Sequence, residues 1–99
     1  MIVDNPIVLS VFRSPGRCEW CGRWFPKTDA AHCFSVGAGR LDVYENLVSL
    51  CRECHSRNHS GEISRLQLLI VVGQRECLLV DDIEELVYRL RRMPKGSEL

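Results

Sequence analysis

Cys18-Glu19-Trp20-Cys21-Gly22 and Cys51-Arg52-Glu53-Cys54-His55-Ser56-Arg57-Asn58-His59 are the two stretches that decide how this chain folds. Two thiols separated by two residues can hold one face of a tetrahedral ion, and a second such pair completes four soft ligands. Cys18, Cys21, Cys51 and Cys54 therefore read as one closed, structural zinc site, which leaves no position for water or substrate. His55 and His59 are not needed there. Four residues apart on an expected helix over residues 52–59, they face the same side and can share a second divalent ion. Two protein ligands leave places for water and phosphate oxygens, as an ion acting as Lewis acid requires. The gap between the cysteine pairs, residues 22–50, has room for a hairpin before the chain returns to the metal.

The composition suits a small metal-stapled domain. Ninety-nine residues argue for one domain, residues 1–99, with a marginal core. A structural zinc site adds on the order of 10–16 kcal/mol of apparent binding energy that exists only in the folded state. Six cysteines could instead mark a secreted disulfide scaffold. Against that, Met1-Ile2-Val3-Asp4-Asn5-Pro6 has no basic start, and Ile7-Val8-Leu9 is too short for the apolar part of a signal peptide. A disulfide across Cys-x-x-Cys would also close a very small loop, which constrains the unfolded chain little. A reducing cytoplasm is the expected location. No apolar run approaches the roughly 20 residues needed to cross a bilayer, so no membrane role is expected.

Thirteen basic and thirteen acidic residues cancel, so net charge alone does not announce nucleic acid. Their distribution says more. Arg13, Arg17, Arg23, Lys27, Arg40, Arg52 and Arg57 surround the metal motifs, while Asp81, Asp82, Glu84 and Glu85 cluster far from them in sequence. Scattered cations of this kind are equally the solvated surface of any small protein.

Three segments follow. Ile7 to Phe12 is a short apolar run, strand or helix, closed by the turn signal Ser14-Pro15-Gly16. Residues 17–61 form the functional core: a zinc knuckle closed by Gly22, a strand over 30–36, a Gly-Ala-Gly-Arg turn at 37–40, a strand over 46–50 delivering Cys51, and a helix ended by Ser60-Gly61. Residues 62–99 read as two helices packed on that core. The first is expected over 62–72, with Ser60 as N-cap and Gly73 as stop. The second starts at Asp82-x-x-Glu85, resembling a capping box, and carries Ile83, Leu86, Val87 and Leu90 on one face. Between them, Cys77-Leu78-Leu79-Val80 fits strand or linker. Cys33 and Cys77 are expected to be buried reduced thiols.

A hydrolytic site needs a base that works near neutral pH, and the remaining histidine, His32, is the candidate. Its ring needs a partner to fix the tautomer, and an amide or carbonyl across the hairpin can serve. Asn46 stands at the end of the intervening loop.

Taken together, Cys18-Glu19-Trp20-Cys21-Gly22, Ala31-His32-Cys33-Phe34, Glu45-Asn46-Leu47-Val48-Ser49-Leu50-Cys51 and Cys54-His55-x-x-x-His59 resemble the HNH endonucleases, especially their small phage-encoded members. The resemblance covers residues 17–61 and implies an α+β fold: a ββα-metal finger with a treble-clef-like four-cysteine zinc site, here followed by two C-terminal helices. It implies His32 as general base and Asn46 as the residue that orients it and tightens the hairpin. His55 and His59 would hold a catalytic divalent ion, Mg²⁺, Mn²⁺ or Zn²⁺. The implied reaction is hydrolysis of a DNA phosphodiester in a prokaryotic or phage-infected cell.

One position departs from the family pattern: many members carry an acidic or histidine ligand just before the base, where this chain has Ala31. A second register would make His32 the ligand and Cys33 the base. The first is favoured because Cys33-Phe34 then fill the apolar positions after the base. Asp29 could reach the ion through water, but it stands two residues off. Arg40, with Arg52 and Arg57 as helpers, is the candidate phosphate contact. No base-reading element is evident, so the DNA grip is expected to be largely non-sequence-specific and salt-sensitive. Two rivals share the fold: a catalytically silent nucleic-acid-binding module, and an adaptor that docks a protein partner through its C-terminal helices.

Overall fold

The computed structural model describes residues 5–34 and 41–92. It opens with α1 (Pro6–Arg13), where the Asn5 side chain accepts the Val8 N–H and Pro6 occupies a first-turn position that lacks a backbone partner anyway. Helix prevails over strand here because Leu9 and Phe12 bury on one side while Ile7 and Val11 stay exposed, a helical and not an alternating pattern.

Two antiparallel ribbons follow. β1 (Gly16–Arg17) pairs with β2 (Trp24–Phe25) and brackets the first cysteine pair. β3 (Asp29–His32) pairs with β4 (Leu47–Leu50), in a register that sets Asp29 against Leu50 and His32 against Leu47. The strand expected over 30–36 thus starts at Asp29 and stops at His32. Beyond that point Asn46 replaces the ladder: its side chain accepts the Phe34 N–H and donates to the Phe34 and Leu41 carbonyls. Asn46 itself closes a short 3-10 helix, Tyr44–Asn46, so β4 begins one residue later than expected.

Helix α2 (Arg52–His59) has the expected bounds, with Cys51 as N-cap, and Gly61 turns the chain away at φ 88°. Helix α3 (Arg65–Glu76) does not start at Ser60, whose hydroxyl is spent on the Arg57 carbonyl at the end of α2. Ser64 and Gln67 form a full capping box instead. Nor does Gly73 stop the helix. It lies buried inside α3, where an added Cβ would come within 2.6 Å of the Leu78 carbonyl oxygen. The helix ends at Cys77, in the left-handed region at φ 59°. Cys77 is exposed, against the expected burial, whereas Cys33 is buried and its thiol is pushed up to about 12 by desolvation. Cys77 to Leu79 is linker, and α4 (Val80–Arg92) begins with Asp82 accepting the Leu79 N–H, which places Asp82 inside the first turn and not at the cap.

One apolar cluster runs from Cys18 through Leu50, Ile63, Leu68 and Val72 to Ile83, Val87 and Leu90, so α3 and α4 share a core with the cysteine-bearing half. Arg75 ties the halves with polar contacts. Its guanidinium holds both Glu19 oxygens at 2.8 and 3.0 Å, donates to the Tyr44 and Leu47 carbonyls, and stacks 4.9 Å above the Phe12 ring. Among the described residues no helix is long and apolar enough to cross a membrane.

Gly73 gives a test of this packing. Alanine is the better helix former by about 1 kcal/mol, yet Gly73→Ala must push the Leu78 backbone aside. We expect a net loss of about 1–3 kcal/mol, read as a lowered Tm. An unchanged or raised Tm would show that the α3–α4 turn gives way freely.

Candidate active site and metal centres

The zinc-ligand candidates converge first through backbone geometry. Gly22, at φ 78°, lets the chain fold back after Cys21, and its N–H donates to the Cys18 carbonyl at 2.9 Å. The Cys21 N–H points at the Cys18 sulfur and the Cys54 N–H at the Cys51 sulfur, both at 3.5 Å. The four sulfur atoms lie within 4.8 Å of one another, three of the residues being buried and Cys21 partly so. The Arg23 N–H brings the Cys21 thiol down to about 7, against a smaller opposing effect of burial. Burial, reinforced by Cys51 and Cys18, drives Cys54 far above the usual thiol range. Four sulfurs this close cannot all ionise without a cation among them. The donor set and its spacing fit a tetrahedral, thiolate-bound ion.

A second cluster stands on the outer face of α2. The Nε2 atoms of His55 and His59 are 3.1 Å apart, with ring centroids 4.6 Å apart. Helical spacing explains this, since residues four apart stack on one side. On the strand facing them, Asp29 Oδ2 lies 3.0 Å from His55 Nδ1 and 3.2 Å from Arg52 Nε. A carboxylate behind one ring nitrogen fixes the tautomer and leaves the other nitrogen's lone pair outward, the arrangement found behind metal-ligating imidazoles. His55 and His59 border an open cleft of about 430 Å³ with Asp29, Ala30, Arg13, Arg52 and Ser56. Asp29, set aside in the sequence for its spacing, is thus a member of this cluster. The signal for it lies in the pairing of β3 with β4, which spacing along one strand does not reveal.

His32 has a different partner. Its Nε2 is 2.7 Å from Asp42 Oδ1, with the carboxylate side chain wholly buried and the imidazole 22% exposed. Asp42 Oδ2 also accepts the Asn5 N–H at 2.8 Å, which ties the carboxylate to the start of α1. Alternation along β3 turns His32 to the face opposite Asp29. His32 does not line the cleft of His55 and His59, although Ala30, two residues earlier on its own face, does. The orienting contact expected of Asn46 is made by Asp42, while Asn46 clasps the hairpin backbone. Asp42 was missed because its loop is polar-apolar mixed and carries no periodicity. An acid flanked by the apolar Leu41 and Val43 is the only signal for it in the sequence.

Among the arginines proposed for phosphate, Arg40 lies outside the described residues. Arg52 projects into solvent, 84% exposed, over the His55 cleft. Arg57 is engaged by Glu62, which holds its guanidinium protonated more firmly still. Ala31, in the position where a further ligand would stand, is buried against the core. Comparison with known families finds a match between residues 18–61 and the family described as HNH endonuclease. No curated protein and no solved structure matches.

Proposed function

Residues 18–61 belong to the HNH endonuclease family, and from that premise we propose that the chain is a metal-dependent endonuclease that hydrolyses DNA phosphodiester bonds. The observation that carries the reading is the Asp29–His55–His59 cluster, in which a carboxylate-backed imidazole and its helical neighbour turn their Nε2 atoms to one open, arginine-lined cleft.

The four cysteines would hold a zinc ion, which would staple the fold. His55 and His59 would hold a divalent ion, and the chemistry it would supply there is Lewis-acid stabilisation of phosphate charge. Arg52 and Arg13 draw the phosphate into the cleft. His32, its Nε2–H donated to Asp42, would take a proton from water at Nδ1. That water attacks phosphorus in line, the bond to the 3′ oxygen breaks with its electron pair on that oxygen, which takes a proton from solvent, and 5′-phosphate and 3′-hydroxyl ends result. His32 stands one strand step, about 7 Å, beyond the cleft-lining Ala30 on the same face.

A catalytically silent nucleic-acid-binding module is the second reading. It draws on Ala31, which offers no ligand, and on the absence of His32 from the cleft wall. Plasmid relaxation with added Mg²⁺, Mn²⁺ or Zn²⁺ separates the two. Nicking is expected from the parent chain, with Asp29→Ala slower by about 10–100-fold, as for loss of a group behind a metal ligand, and His55→Ala inactive. Plasmid retardation without nicking by the parent chain would favour the silent module. Retained cysteine-bound zinc in each variant checks that the fold survives.

A further inference from the structure

A second cleft, of about 520 Å³, opens beside the first and shares Arg52 and Ser56 with it. Its outer wall is the segment Arg23, Phe25, Pro26 and Lys27, which the zinc knuckle's β2 presents. Arg23 and Lys27 are exposed cations at the lip, while Phe25 and Pro26 supply an aromatic and a flat aliphatic surface behind them. Glu53 is the acidic residue of this wall. In the first cleft the acid is Asp29, already bonded to His55 and Arg52.

We infer that this cleft is a nucleotide subsite, which seats an unpaired base against Phe25 and Pro26 and its phosphate between Arg23 and Lys27. The inference rests on the proposed nuclease reading and narrows its substrate to strands with an unstacked nucleotide next to the cut. A strand lying in the His55 cleft carries a charge at every residue and must continue somewhere. Arg13, Arg52, Arg23 and Lys27 mark a cationic path through both clefts. A phosphate alone would need only the cations. The apolar wall behind them adds what a planar base needs, since every base has a face to stack and none is read by its edge. A base inside continuous duplex cannot turn into this wall without being unstacked.

Fluorescence anisotropy with a labelled octathymidylate, and with an abasic octamer of equal charge, tests the inference. It is run in the His55→Ala background without added divalent ion, so that the outcome does not depend on cleavage. Octathymidylate is expected to bind about 10-fold more tightly than the abasic strand, and Phe25→Leu to erase that difference. Arg23→Gln with Lys27→Gln should flatten the salt dependence of binding by about 1.4 in log–log slope, two single-strand phosphate contacts. Equal affinity for the two strands, tighter binding of a blunt duplex of equal length, or an unchanged slope would each overturn the proposal. If Phe25→Leu loses zinc, the comparison of the two strands on the His55→Ala chain and the exposed Lys27→Gln variant decide it. Failure of nicking by the parent chain, with these binding results intact, would sink the hydrolase and leave the subsite standing.

Discussion

Cys51→Ser is expected to unfold the chain: helical circular dichroism collapses, bound zinc falls to zero, and no cooperative melt remains. Cys51 has three duties. Its sulfur belongs to the four-sulfur cluster, its side chain caps α2 by accepting the Cys54 N–H, and it packs in the main apolar cluster. The first decides the magnitude. An ion bound only by the folded state contributes on the order of 10 kcal/mol, comparable to the whole stability of a small domain at about 5–15 kcal/mol. Serine can still accept the Cys54 N–H, so the cap of α2 is kept and the loss isolates the ion site. The apolar cluster joins both halves of the chain through Cys18, Cys51 and Cys54, so the loss should propagate into α3 and α4 and not stay local. Cys77→Ser is the control: Cys77 is exposed and outside the sulfur cluster, and a change within about 0.5 kcal/mol is expected. A Cys51→Ser chain that melts like the parent would show that the apolar core suffices without an ion.

What could be read in the sequence was local. The cysteine pairs, the helix bearing His55 and His59, and the strand ahead of Cys51 are written in spacings of two to four residues, within reach of periodicity. Gly22 could be assigned its turn because glycine alone follows the second thiol so easily at positive φ. The parts that escaped are pairings across distance. Asp29 meets His55 only after β3 has paired with β4 and α2 has folded over them. Arg75 reaches Glu19 across 56 residues and was an ordinary helix-surface arginine in the sequence. Two local errors differ in origin. Ser60 is followed three residues later by Ile63 and Ser64 by Gln67, so only Ser64 has the partner for a capping box, and Ile63 buries in the turn before it. Gly73 looked like a stop because its role, admitting the Leu78 carbonyl, belongs to the fold of the following turn.

Asp42→Asn should cut nicking by about 10²–10³-fold while leaving the fold nearly intact, and His32→Ala should cut it by about 10²–10⁴-fold, the usual worth of a positioned base. The two substitutions separate positioning from structure because the carboxylate oxygens have different partners. Oδ2 accepts the Asn5 N–H, and Oδ1 accepts from His32 Nε2. An asparagine that keeps its carbonyl oxygen toward Asn5 retains the tether of α1 but presents an NH₂ group to the ring. Imidazole must then accept at Nε2 and carry its proton at Nδ1, which is the nitrogen the mechanism needs free. Asp42→Ala differs: it also strands the Asn5 N–H, at about 1–3 kcal/mol, so its loss of rate would mix with loss of stability. The readout peculiar to the tautomer is the pair of imidazole ¹⁵N shifts of His32, expected to exchange character between the parent chain and Asp42→Asn. A drop in rate with unaltered ring shifts would assign Asp42 a purely architectural part. Full activity in His32→Ala would show that the base is another group and would overturn the role given to the His32–Asp42 pair.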